Sequence, residues 1–254
     1  MTAAAVAFTP ALVPGRLERR YKRFLADVTL NDGSCVTAHC PNPGAMTGLA
    51  APGSAVWLAP VVNPKAKLRW RWIIATQEGV MTGIDTLLAN RLAFRLLEAG
   101  AVPELAGHPA PRREVATGGG SRIDLLLSGE GSRPDCWVEV KSVTLRRPDG
   151  PDPLAAEFPD AVTTRGARHL DALAELARGG ARAAMLYLVQ RDDCRRFRIA
   201  ADIDPAYAGA FARARAAGVE MLCYDCAVSP AGVRVGKPLP LAGPGSGACK
   251  EGSS

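Results

Sequence analysis

Ser121-Arg122-Ile123-Asp124-Leu125-Leu126-Leu127 and, after a polar loop, Val138-Glu139-Val140-Lys141-Ser142-Val143 read as two apolar strands carrying an acid, an acid and a lysine. Successive side chains of a strand point to opposite faces, so Glu139 and Lys141 share one face while Val138 and Val140 turn into the core. If the two strands pair as a hairpin, Asp124 arrives at the same edge. Two carboxylates with a lysine beside them then form a site for a hard cation. Such a site suits metal-assisted attack of water on a phosphodiester. A Glu and a Lys two apart on one strand face also make an ordinary solvated pair, worth about 0.2–1 kcal/mol. Against that bland reading, both acids interrupt apolar strands, where a carboxylate without a partner is costly unless a cation meets it.

The chain has 254 residues, enough for one large domain or two small ones, and its 48% hydrophobic and 22% charged residues describe a globular protein. No apolar run is long enough for a membrane helix, and the first residues lack the basic region and cleavage site of a signal peptide, so a cytoplasmic protein without membrane contact is expected. Seven cysteines at irregular spacings fit a reducing compartment. Cys223-Tyr224-Asp225-Cys226 is a lone CxxC within a predicted strand, with no second pair or histidine to complete a zinc site. A net charge of +6 favours an anionic partner, nucleic acid first.

Residues 12 to about 84 alternate short β-prone runs with Gly, Pro and Asn, predicting strands at 16–29, 34–39, 55–60, 68–76 and 80–84. Asn31-Asp32-Gly33-Ser34 forms a tight turn between the first two. Five short strands suggest a small barrel of the oligonucleotide-binding (OB) type. Lys65, Lys67, Arg69 and Arg71 recur at every second residue against Ala66, Leu68, Trp70 and Trp72, so an extended segment has one basic and one apolar face. Such a basic face suits a phosphate backbone, although lysines also protect an edge strand from aggregation. Arg20, Lys22 and Arg23, with Tyr21 and Phe24, form a second basic cluster.

Helical spacing begins at Thr86, with Asp85 or Thr86 as cap and Gly100 as stop, which places a domain boundary at 84/85. Beyond the acid-bearing strands come a helix (163–178), a buried strand (183–190), a helix (205–217) and a strand (219–228). Together these predict an α/β/α sandwich around a mixed sheet over 85–240, joined to a barrel over 1–84, with a disordered Gly-, Pro- and Ser-rich tail over 241–254. Arg165 and His169 fall in the first turns of the helix after Lys141, where free N–H groups and a guanidinium suit a phosphate. Glu114 borders the site from its own strand.

The order helix, hairpin with Asp124 and Glu139-x-Lys141, helix, strand resembles the PD-(D/E)XK nucleases. The resemblance implies Asp124 and Glu139 as ligands of Mg²⁺ or Mn²⁺, Val140 as a carbonyl ligand, and Lys141 as the group that activates water or offsets charge. It also implies a supporting acid or amide from the preceding helix, Asn90 or Glu98. More narrowly, Arg20–Val28, His39-Cys40-Pro41-Asn42-Pro43-Gly44-Ala45-Met46, Asn90-Arg91, Glu139–Leu145 and Phe158-Pro159-Asp160 resemble the sugar fermentation stimulation protein family. This implies an N-terminal OB-like barrel, a nuclease-like domain, DNA binding with little sequence preference and a regulatory link to maltose metabolism. Cleavage and non-catalytic regulation both remain open. Two departures stand near these motifs: Pro43 replaces the family's Thr, and a proline-rich stretch, Arg146 to Leu154, lengthens the loop after Lys141.

Overall fold

The computed structural model describes residues 5–117 and 122–242, so Ser121 and the tail from 243 lie outside the described residues. The first strand, β1 (Ala5–Ala7), pairs antiparallel with the last strand of the chain and not with its sequence neighbours. Five strands then close into a barrel: β2 (Val13–Tyr21), β3 (Leu25–Leu30), β4 (Cys35–His39), β5 (Ala55–Pro60) and β6 (Trp70–Gln77). Their order is β4-β3-β2-β5-β6, and β4 returns to β6 through the parallel pairs Ala38–Trp70 and His39–Arg71. β7 (Val80–Gly83) hairpins onto β6. The strands close because alternate residues are apolar: Ala26, Val28 and Leu30 of β3 point inward onto Leu17, Val56, Leu58 and Trp72.

The barrel corrects two expectations. The stretch 16–29 is two strands, not one, split at Lys22 and Arg23, whose φ values of 48° and 64° make a left-handed turn without Gly or Asn. The Asp32-Gly33 turn accordingly joins β3 to β4; Gly33 has φ 84°, and Asp32 Oδ1 accepts from the Ser34 amide. The basic strand also starts later than expected, at Trp70. Lys65, Lys67 and Arg69 sit in a loop after Pro64, where Asn63 Oδ1 accepts the Lys65 amide at 3.0 Å and curls the chain.

Asp85 caps α1 (Thr86–Glu98) by accepting from the Leu87 amide, and the helix stops before Gly100 at φ 60°. Next come β8 (Arg112–Ala116), β9 (Arg122–Leu127), β10 (Cys136–Val143), β11 (Ala155–Phe158), α2 (Thr164–Arg178), β12 (Arg182–Val189), β13 (Arg196–Ile199), α3 (Pro205–Ala216), β14 (Glu220–Ser229) and β15 (Gly232–Pro238). Seven strands form one mixed sheet in the order β1-β15-β14-β12-β10-β9-β8, while β11 and β13 make a separate pair. Leu88, Leu92 and Leu96 of α1 pack on one face against Val138, Val140, Leu186 and Leu188. On the other face Leu170 and Leu173 of α2 and Tyr207 and Ala210 of α3 cover Met185, Tyr187 and Val189. The result is the expected α/β/α sandwich beside an OB-type barrel. Leu241 and Ala242, expected in the loose tail, are instead tied to Phe197, the Ala242 amide donating to its carbonyl at 2.7 Å.

Barrel and sandwich interlock. The guanidinium of Arg191, wholly buried, pairs with Asp193 and donates to Gln77 Oε1 of β6 at 2.7 Å. The Gly83 amide donates to the Gln190 carbonyl at 3.0 Å. Arg146 of the proline-rich loop pairs with Glu78 at 3.0 Å, and Arg147 pairs with Glu157 and Asp202. That loop is therefore held against the barrel turn and the region around β11 and β13.

Arg20, expected on a DNA-binding surface, has another task. Its guanidinium donates to the carbonyls of Arg23, Asn42, Gly44 and Ala45 at 2.9–3.2 Å. Carbonyls bound to one cation fix the loop 42–45. A net contribution near 1 kcal/mol per hydrogen bond predicts that Arg20→Met lowers unfolding free energy by about 2–4 kcal/mol. Urea unfolding measures this, and an unchanged midpoint would remove the clamp from the account.

Candidate active site

The antiparallel ladder between β9 and β10 ends at the pair Leu125–Val138. Beyond it the side chain of Asp124 replaces the backbone partner: its Oδ2 accepts the Val140 amide at 2.9 Å. Its Oδ1 accepts from Asn90 Nδ2 of α1, also at 2.9 Å. Asp124 is thus fixed from two elements at the mouth of the opened ladder. Burial first, and then the neighbouring Glu139 charge, push its carboxyl up to about 6.

Glu139 is 2% exposed and lies on the α2 side of the sheet, opposite Val138 and Val140, as the strand alternation predicts. Its Oε1 accepts from Lys141 Nζ at 2.5 Å and from His169 Nδ1 of α2. Its Oε2 is buried and has no partner among the described residues. Burial opposes its charge, but the bond from His169 and the Lys141 ammonium outweigh that and hold the carboxyl below the usual range. Arg165 Nε approaches His169 Nε2 at 3.4 Å, so Nε2 accepts and Nδ1 carries the proton directed at Glu139.

Asp124, Glu139, Val140, Lys141, Asn90, His169 and Arg165 therefore form one connected group. Glu98 does not join it; it pairs with Arg95 on the surface of α1. Glu114 is exposed at φ 52° and lines a cavity of about 540 Å³ that also reaches Asp124 and Asn90. Among the expected DNA-binding residues, Lys22, Arg23, Lys65, Lys67 and Arg69 are exposed. Arg71 is occupied: its guanidinium takes both oxygens of Asp85 at 2.9 and 3.1 Å. Sequence reasoning missed Asp160, whose Oδ2 accepts the Met46 amide at 3.2 Å. This contact seats the barrel loop on the segment leading into α2, and a Cβ on Gly44 would collide with the same carboxylate.

The donor set suits a hard cation in its chemistry: two carboxylates, one with a buried oxygen still to be satisfied, and no thiolate. Among the described residues no group of three or more His, Cys, Asp and Glu comes together so as to hold a metal ion.

Two family models cover the chain, one described as the SfsA N-terminal OB domain over residues 19–84 and one as the sugar fermentation stimulation protein RE domain over 87–232. The chain belongs to the sugar fermentation stimulation protein family. It is 52% identical to the homolog of Paramagnetospirillum magneticum over 92% of this chain and 97% of that protein. It is 56% identical to the homolog of Ruegeria pomeroyi over 90% of this chain and 97% of that one. A solved structure of Pyrococcus furiosus SfsA in complex with Ca²⁺ superposes with a TM-score of 0.83 at 27% identity, covering 95% of this chain and all of that one.

Because Asp124 titrates higher in the fold than in the unfolded chain, its protonation favours the folded state. Its contribution to stability therefore declines as pH rises from the usual carboxylate range to about 6. A cation on the ionised pair offsets that loss. Thermal unfolding with millimolar Mg²⁺ or Ca²⁺ is expected to show stabilisation at about pH 7.5 that fades below about pH 6 and is absent in Glu139→Gln. A cation effect independent of pH, or retained in the variant, would move the metal elsewhere.

Proposed function

We propose that this protein is a Mg²⁺- or Mn²⁺-dependent nuclease that holds DNA with its barrel and cleaves phosphodiester bonds at Asp124, Glu139 and Lys141. The observation that carries the reading is the buried, unpartnered Oε2 of Glu139 beside the raised carboxyl of Asp124. Leaving such an oxygen without a partner is costly, and a divalent cation bound by both acids would supply one. The Ca²⁺ in the Pyrococcus furiosus relative supports the same reading.

The bound cation, held by Asp124 and Glu139 with the Val140 carbonyl, would polarise the phosphate and its attacking water. The chain's own groups prepare that site. Asn90 and the Val140 amide keep Asp124 from turning away. Arg165 orients His169, and His169 with Lys141 holds Glu139 Oε1, leaving Oε2 for the cation. The Lys141 ammonium lies where it can orient a water or offset the negative charge that develops on phosphorus.

The barrel supplies the grip. OB barrels bind oligonucleotides on their second and third strands and on the loops joining strands one to two and four to five. Here those are β3, β4, the turn Lys22–Arg23 and the loop 61–69 with Lys65, Lys67 and Arg69. Phe24, 43% exposed, stacks on His39 beside the first of these loops. A Lys-Arg pair kept in left-handed backbone, where Asn-Gly is the easy choice, supports a need for two cations at that tip. Contacts of this kind meet phosphates and carry little sequence information. The six described cysteines are free thiols, which supports a cytoplasmic location.

The test is Mg²⁺- and Mn²⁺-dependent cleavage of DNA, with binding measured in parallel. Glu139→Gln is expected to abolish cleavage and keep binding, and His169→Ala to lower cleavage by about 10–100-fold. Lys65→Glu with Arg69→Glu is expected to weaken binding without loss of fold and to flatten the dependence of affinity on salt. Binding by the parent with no cleavage of any substrate would instead leave a non-catalytic DNA-binding regulator.

A further inference from the structure

The cavity that reaches Asp124 lies between the barrel, the segment after β1, α1 and the β8–β9 hairpin. Its walls are apolar, basic and, at Asp85, Glu114 and Asp124, acidic. Phe8, Leu12, Ile73 and Leu87 make an apolar slot, and Leu87 is 60% exposed at the first turn of α1. Beside them stand Arg91 and Arg113. The Arg91 side chain is 51% exposed and only 3.7 Å from an Asp85 oxygen that Arg71 already holds. Arg113 lies over the Phe94 ring at 3.9 Å and has no ion pair among the described residues. Apolar walls flanked by weakly engaged guanidinium groups match a nucleobase and its phosphate, as in single-strand grooves.

Position and size narrow the occupant. His39, which stacks with Phe24 on the barrel, is the register partner of Arg71, and Arg71 lines the cavity. Arg71 thus joins the barrel strand beside His39 to the cavity, whose lining also includes Asp124. A volume of about 540 Å³, in the range of ordinary ligand clefts, has room for a nucleotide or two.

We propose that this cleft threads a single unpaired DNA strand from the barrel to Asp124, so that the substrate class of the site is single-stranded DNA or the unpaired end of a duplex. The inference rests on the nuclease reading, of which it names the substrate, but its binding arm stands apart from cleavage. Duplex ends must fray before they enter, and Leu87, Arg91 and Arg113 select the unpaired strand without taking part in the reaction.

The test uses the full chain carrying Glu139→Gln, which permits binding without cleavage, and compares a short single strand of about 12 nucleotides, a blunt duplex and a duplex with a single-stranded overhang. The single strand and the overhang are expected to bind at least about tenfold tighter than the blunt duplex. Arg91→Glu with Arg113→Glu, and separately Leu87→Trp, should collapse that ratio; Lys22→Glu with Arg23→Glu on the barrel should weaken all three ligands. Circular dichroism checks that each variant folds, and Leu87→Trp, at an exposed position, keeps the test open if charge reversal does not. Equal affinity for blunt duplex and single strand, or cleft variants that leave the ratio intact, overturns the proposal. Cleavage by the parent chain separates the two ideas: a strand preference without cleavage refutes the nuclease and keeps the cleft, whereas cleavage of blunt duplex as fast as single strand refutes the cleft and keeps the nuclease.

Discussion

Asp124 takes the amide of Val140 at the point where β9 and β10 cease to pair. A backbone N–H inside a sheet needs a partner, and here a side chain supplies it in place of the neighbouring strand. The two strands are thereby released to separate without leaving an orphan donor. The gap they leave holds the second acid, Glu139, on the face turned toward α2, and the lysine beyond it. With Val140 held in this way, the two carboxylates keep their mutual position. Burial first, and the Glu139 charge second, raise the carboxyl of Asp124, whereas the bond from His169 and the Lys141 ammonium hold that of Glu139 down.

The barrel reaches the same acid through a short chain of contacts. Arg71 on β6 grips Asp85 with two hydrogen bonds, and Asp85 is also the cap of α1. One carboxylate thus joins the closing strand of the barrel to the start of the helix. One turn further along that helix, Asn90 holds Asp124. Arg191, buried without exposure, and the seat of Met46 on Asp160 lock the junction at two other points. The barrel and sandwich behave as one frame around the acids, because a wholly buried guanidinium cannot change partners without being desolvated alone.

The sequence made the sandwich and the core of the site legible because both depend on periodicity. Alternation in Val138–Val143 put Glu139 and Lys141 on one face, and the helical spacing after Asp85 gave α1 with its cap. The Lys22–Arg23 turn was hidden because Tyr-Lys-Arg-Phe contains none of the residues that favour left-handed backbone, so two strands read as one. The Lys65–Arg71 alternation misled for the opposite reason: a period of two was present, but Pro64 and the Asn63 side chain curl the chain before it can extend. β1 could not be placed at all, since its partner is the last strand, and pairing between chain ends leaves no local signal. Arg20 and Arg71 looked like surface charge because sequence shows a guanidinium but not the carbonyls or the carboxylate it meets in the fold.

Those two arginines also explain how a chain with a net charge of +6 can offer its cations selectively. In the two barrel clusters Arg20 and Arg71, both on strands, are engaged within the fold: Arg20 on the carbonyls of one loop, Arg71 on Asp85. The bases that lie on loops, Lys22, Arg23, Lys65 and Lys67, remain exposed. In these two barrel clusters the exposed charge therefore sits on loops, one of them beside the stacked Phe24 and His39. On the proposed reading, phosphate attraction at those loops draws a strand toward Arg71, which lines the same cleft as Asp124.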